Sequence, residues 1–238
     1  MTAWLTRRRM AGGGGRRQGW DLMRVVVFGA TGMVGQGVLR ECLLAEDVRE
    51  VLTVGRRPTG AQDPKLRELT VADVGELDAV RAELTGVDAC FYCLGVSSLG
   101  LDEAAYTRVS YDYPMAAARL FAEVSPQVTF VYVSGQGTDS SGRGRVMWAR
   151  VKGRAENAVM DLLPNGYAAR PGFIQPTYGA VSKTRWYRFG YAVTRPLFPL
   201  LRRLLPNQVT TTDGIGRAML RVARQGSPVR VLGNRELR

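Results

Sequence analysis

The chain has no histidine and only three cysteines and three lysines among its 238 residues. Without an imidazole to relay a proton, a Ser-His-Asp hydrolase is excluded. The segment "YVSGQG" also lacks the leading glycine of a nucleophile elbow. The cysteines, at 42, 90 and 93, are odd in number, and no secretory leader pattern precedes them. That combination argues against a disulfide framework and points to a reducing, cytoplasmic setting. Cys90 and Cys93 have CxxC spacing, but they fall in a strand pattern, where residues three apart face opposite ways. With no second pair and no histidine, neither a metal site nor redox chemistry is expected there. Also missing is any uninterrupted apolar run near the ~18 residues a membrane-spanning helix requires.

Arginine is what the chain has in excess: the net charge is +12, and all but three of the 33 basic residues are Arg. Residues 1–22 hold five Arg against one Asp, residues 23–139 ten basic against sixteen acidic, and residues 140–238 eighteen against four. Such asymmetry suits an anionic ligand, an acidic membrane surface or nucleic acid. A general preference for arginine explains it equally well. No RNP pattern, zinc module or helix-turn-helix signal accompanies it, so nucleic acid is not an expected partner. The stretch "WYRFGYAVTRPLFPLLRRLLP" (186–206) suits either a membrane surface or the cover of a substrate pocket, which Arg185, Arg188, Arg202 and Arg203 would rim. Residues 1–22, with a glycine run and arginine clusters, have the composition of a flexible tail. Met23, directly before the first strand, offers an alternative start.

From there the pattern alternates. "RVVVFGA" (24–30), "EVLTVGRRP", "LRELTVAD", "VDACFYCLGVS", "QVTFVYVSG" and "GYAARPGFI" read as six strands, and "SPVRVLG" as a seventh. Helical spacing appears after Gly32, in "ELDAVRAELTG", from Asp102 to Val124 with Pro114 bending or interrupting it, and around Val151, Ala155, Ala158 and Leu162. Strands and helices in this rhythm predict an α/β protein with a doubly wound parallel sheet, whose ligands sit beyond the carboxyl ends of the strands.

"FGATGMVGQG" places Gly29, Gly32 and Gly35 between the first strand and the first helix. Gly29 permits the tight turn, Gly32 lets main chain approach a diphosphate, and Gly35 lets helix and sheet pack closely. Thr31, Met33 and Val34 complete the segment at the positive helix end, where free N–H groups suit an anion. An NAD site would carry a carboxylate at the end of the second strand, whereas here Arg56 and Arg57 stand there. Paired guanidinium groups suit a 2′-phosphate, so NADP(H) is favoured over NAD(H). Asp73 and Val74, ending the third strand, are candidates for the adenine edge. Leu94 and Gly95, ending the fourth, are candidates for the ribose.

These residues, with "VSGQG" (133–137), "VKGRAE" (151–156) and "RPGFIQP" (170–176), resemble the atypical short-chain dehydrogenase/reductase superfamily over roughly residues 23–238. The likeness is to its NAD(P)H-binding, NmrA-like and epimerase-like branch. It implies a Rossmann-type domain with a small C-terminal helical lobe at about 174–212. In catalytic members a Ser polarises the carbonyl, a Tyr transfers the proton, and a Lys four residues later tunes the Tyr and holds the nicotinamide ribose. Ser134 and Lys152 match two of the three. The tyrosine position is Trp148, whose indole donates only and cannot cycle a proton. Lys152 is then read as a retained cofactor ligand. The RPG segment lies beside nicotinamide in that family, which makes Pro171 a cofactor contact and Tyr178 the substitute proton donor, ahead of Tyr111 and Tyr113. Two functions stay open: an NADP(H)-dependent oxidoreductase or epimerase-like enzyme on a small, anion-compatible substrate, and a non-catalytic NADP(H) sensor.

Overall fold

The computed structural model describes residues 22–178 and 208–237. The tail and the greater part of the lobe expected at 174–212, with Arg185, Arg188, Arg202 and Arg203, lie outside the described residues.

Short β-branched and aromatic runs form the strands: β1 (Met23–Phe28), β2 (Val48–Gly55), β3 (Leu66–Thr70), β4 (Ala89–Tyr92), β5 (Thr129–Val133), β6 (Gly166–Ala169), β7 (Phe173–Gln175), β8 (Val209–Thr211) and β9 (Val231–Leu232). Seven pair in parallel, in the order β3-β2-β1-β4-β5-β6-β9. The order reverses at β1, so the crevice between the ends of β1 and β4 is the switch point at which such sheets bind ligands. Helices α1 (Met33–Leu44), α2 (Arg81–Leu84), α3 (Glu103–Thr107), α4 (Tyr113–Val124), α5 (Met147–Leu162) and α6 (Thr212–Gln225) cover the sheet.

Both sheet faces are buried, which is why β1, β4 and β5 are apolar without alternation. Beneath one face Val26, Phe28, Leu52, Cys90, Tyr92 and Phe130 pack with α4 and α5. Beneath the other Val25, Val27, Phe91 and Val131 pack with Val38 of α1 and Ile215 of α6. Cys90 belongs to the first core, while Cys93 packs against the second, so the CxxC pair does face opposite ways. Burial pushes the thiols of Cys42, Cys90 and Cys93 far above their ordinary range, which leaves them inert as nucleophiles.

Three local expectations are corrected. The segment Asp102–Val124 stays helical throughout, but through a π-helical turn, Arg108–Asp112, placed just before Pro114. Proline has no N–H for the Ser110 carbonyl, and the Tyr132 hydroxyl donates to that oxygen instead, at 2.8 Å. "GYAARPGFI" is not one strand. Pro171 brings no N–H to the ladder, and the chain leaves the main sheet so that β7 pairs with β8 in a separate parallel pair. The helix read in "ELDAVRAELTG" is a 3₁₀ turn, Asp78–Val80, followed by the single turn of α2.

Candidate functional site

The turn between β1 and α1 admits only glycine at two points. Gly29 has φ +73°, and a Cβ there would lie 2.5 Å from the Leu94 nitrogen. A Cβ on Gly35 would lie 2.1 Å from the Gly29 carbonyl oxygen. The turn closes with the Gly32 N–H donating to Gly29 at 2.9 Å. Gly32 caps α1 with no side-chain hydrogen bond, and the first turn contains no acidic residue. The amide end of α1, at Met33 and Val34, therefore has no acidic side chain against it among the described residues, an arrangement that suits an anion. The result is a tight cradle at the amide end of α1, with Leu94 as its far wall.

Past Gly55, Arg56 and Arg57 are exposed, and neither has an ion-pair partner among the described residues. Arg57 lines a cleft of about 750 Å³ together with Thr31, Gln36 and Arg40. Asp73 is committed to its own neighbourhood: its carboxylate accepts from the Gly75 N–H at 2.8 Å and from Arg108 at 2.9 Å. The Gly75 N–H and Tyr113 hydroxyl, with Arg108, hold that carboxyl below its ordinary range. Val74 is buried in the core, so only its main chain is available to an adenine edge.

Across the switch point, the Ser134 hydroxyl donates to the Ala169 carbonyl at 3.1 Å. The Lys152 ammonium donates to the carbonyls of Val133 and Ser134, each at 3.2 Å. A Cβ on Gly95 would come within 3.9 Å of Nζ. Gly29, Leu94, Gly95, Lys152 and Ser134 therefore form one continuous wall from the glycine turn to the matched serine. The Trp148 ring packs over Gly137, one helical turn before Lys152. Pro171 reaches the same loop by accepting from the Gln136 N–H at 2.9 Å. Tyr178 does not join them. Its ring lies under the Arg40 guanidinium of α1 at 3.7 Å, on the opposite side of the sheet from α5. That placement gives no support to Tyr178 as the proton donor.

Burial lowers the Lys152 ammonium to about 8, partly offset by Glu156 one turn on. Between pH ~8 and ~10.5 the unfolded chain then binds more protons than the folded one, so stability rises with pH across that window. Below pH ~8 both states are charged and the full penalty applies. Denaturant titrations at pH 7.5 and 10.5 are expected to differ by up to about 3 kcal/mol from this residue. Lys152→Met should remove that part of the difference, and an unchanged slope in the variant would refute the assignment.

Two features of the site were not anticipated from sequence. Glu156, fully buried, receives the Arg170 guanidinium through Nε at 3.0 and 3.1 Å and through a second nitrogen that also reaches the Ser140 hydroxyl. The Asp139 carboxylate organises the loop before α5 by accepting from the main-chain N–H groups of Ser141, Arg143 and Gly144. The signal for the first lay in Glu156 following Lys152 by four and in an arginine opening the RPG segment. Neither position carries it alone.

Among known proteins, the family model of the NAD dependent epimerase/dehydratase family matches residues 25–143. Protein HTATIP2 of Rattus norvegicus is 27% identical over 207 residues, covering 80% of this chain and 83% of that protein. The mitochondrial protein fmp52-2 of Aspergillus oryzae is 28% identical over 151 residues, and the match spans 62% of this chain and 66% of that protein. Among solved structures, the enzyme WbmF of Bordetella bronchiseptica in complex with NAD+ superposes with a TM-score of 0.63 at 17% identity, over 89% of this chain and 72% of its own. Uronate dehydrogenase from Agrobacterium tumefaciens gives 0.61 at 16%, over 88% and 75%. At such identities the structural likeness is one of fold. The matched stretch starts on the strand that feeds the glycine turn and runs beyond Ser134, and on that basis the chain belongs to the NAD-dependent epimerase/dehydratase family.

Proposed function

We propose that this protein binds NADP(H) and is an oxidoreductase or epimerase-like enzyme for a small, anion-compatible substrate. The observation that carries the reading is the glycine cradle with two exposed guanidinium groups, Arg56 and Arg57, at the neighbouring strand end. WbmF, solved with NAD+, has the same fold, which supports a pyridine nucleotide, and the arginines favour the phosphorylated one. The main chain of Thr31 to Gly35 would hold the diphosphate, Asp73 and Val74 the adenine edge, and Leu94, Gly95, Pro171 and Lys152 the nicotinamide half. When bound, the cofactor supplies a hydride donor or acceptor. Ser134 would then orient a substrate carbonyl with its hydroxyl, and Lys152 would hold ribose hydroxyls. The segment at about 174–212 would cover the substrate, within a single domain spanning 23–238. A cytoplasmic setting suits the three free thiols, although the fungal relative is named mitochondrial.

A second reading, an NADP(H)-binding sensor without turnover, is favoured by one observation: Trp148 occupies the place where the family's proton-handling tyrosine is expected. Calorimetry with NADPH and NADH tests the shared premise. NADPH is expected to bind more tightly, and Arg56→Ala with Arg57→Ala should weaken it about 10- to 100-fold, as the loss of charge-assisted hydrogen bonds implies, while leaving NADH within a few-fold. No heat from either nucleotide would defeat both readings. Loss of nicotinamide absorbance with a panel of carbonyl compounds, abolished by Ser134→Ala, would support the enzyme over the sensor.

A further inference from the structure

The cleft beside the glycine turn has two walls of different origin. One is the outer face of α1, with Gln36, Leu39 and Arg40 below Thr31. The other is the chain after β2, with Arg57, Pro58 and Thr59. Helical side chains lean toward the N-terminus of their helix, here toward Thr31 and the turn. Two guanidinium groups, from α1 and from the β2 end, therefore face one cavity of about 750 Å³ that opens at the glycine turn.

Its lining carries two guanidinium groups and one carboxylate. Arg40 pairs with Glu41 at 2.6 Å, but Glu41 also faces Arg217 at 3.6 Å. Arg217 is held in turn by Asp213 at 2.7 Å. Asp63, on the far rim, accepts from the Lys65 N–H, and the Lys65 ammonium is bound to the Leu43 and Ala45 carbonyls nearby. Of the residues that line the cleft itself, Arg40 and Arg57 stand against Asp63, while Glu68, behind the wall, is taken up by the Thr59 N–H and hydroxyl. Leu39, Leu43 and Pro58 supply apolar contact area beside these charges.

Tyr178 bears on the same group. It is the one non-glycine residue with positive φ, +51°, among the described residues, a conformation that costs of the order of 1 kcal/mol and persists only where its surroundings impose it. Thr177, just before it, is anchored: its N–H donates to the Thr212 hydroxyl at 3.1 Å and its hydroxyl to Asp213 at 2.8 Å. The exposed Tyr178 ring lies against the Arg40 guanidinium, with Cζ 3.7 Å from the ring centroid. Stacking of this kind restricts a long side chain before any ligand arrives.

We propose that Arg40 is a second phosphate-reading residue, closing on the 2′-phosphate of NADP(H) across the cleft from Arg57, with Tyr178 as the positioning residue that orients it. This rests on the NADP(H) reading above and extends selectivity from the strand end to the first helix. Adenosine 2′,5′-bisphosphate and AMP isolate the subsite from the nicotinamide half, and calorimetry with both is the test. Arg40→Gln is expected to weaken adenosine 2′,5′-bisphosphate and NADPH about 10-fold while leaving AMP and NADH unchanged. The unchanged ligands also report that the fold is intact. Tyr178→Ala should give a loss of about 3-fold in the same direction, and Tyr178→Phe should be neutral, since only the ring face is used. If the unmodified protein does not distinguish NADPH from NADH, the NADP(H) reading itself fails. If it does distinguish them and Arg40→Gln keeps the full preference, the role of Arg40 alone is overturned. A loss with Tyr178→Phe as large as with Tyr178→Ala would overturn the stacking role.

Discussion

Trp148→Tyr is expected to raise turnover of a carbonyl substrate with NADPH by about 10²- to 10⁴-fold, the usual contribution of a positioned proton donor. Trp148 stands one helical turn before Lys152 and packs over Gly137 in the loop that follows Ser134. Its indole N–H donates but cannot release and recover a proton near neutral pH. A phenol at that position would sit beside the Lys152 ammonium, whose charge favours the phenolate and so draws the phenol toward a working pKa. Ser134, just past the end of β5, would on the proposed reading turn its hydroxyl from the Ala169 carbonyl to the oxygen that receives the proton. Trp148→Phe is the control: it makes the same change in size without a hydroxyl and should give no gain. Equal activity in the Tyr and Phe variants would show that a missing proton donor at 148 is not what limits the site.

Arg170→Met should destabilise the fold by about 3–5 kcal/mol, because it leaves the fully buried Glu156 carboxylate without its counter-ion. The guanidinium ties three segments together: the end of β6, helix α5 through Glu156, and the loop before α5 through Ser140. Replacing both partners with apolar residues, in Arg170→Met with Glu156→Leu, should recover part of the loss, since the Glu156 carboxylate is no longer left unpaired while Lys152 loses its Coulombic support. Urea titrations of the two variants beside the unmodified protein decide this. A loss under 1 kcal/mol for the single variant would mean that the pair is solvated in solution.

The legible part of this protein is local and periodic. The strand "RVVVFGA", the three glycines after it and the arginines at 56 and 57 could be placed because backbone geometry and charge at a strand end act over a few residues. The same holds for Ser134, Trp148 and Lys152, whose spacing puts them at one strand end and on one helix face. What escaped was long-range. The pairing of β7 with β8 joins residues 173–175 to 209–211, and no pattern in either stretch announces a partner so far away. Helix α6 and its packing on α1 were not read either, although Thr211 caps it with a side-chain hydrogen bond to the Gly214 N–H.

By itself, then, the sequence determined the parallel sheet and the glycine turn, since each follows from steric and hydrogen-bonding rules that a short segment carries within itself. Only the tertiary structure decided that Tyr178 lies against Arg40 instead of beside Lys152, that Arg40 and Arg57 share one cleft, and that Arg170 neutralises Glu156. Those pairings depend on which surfaces the sheet order brings face to face, and Coulombic and stacking forces act on distance in space, not on separation along the chain.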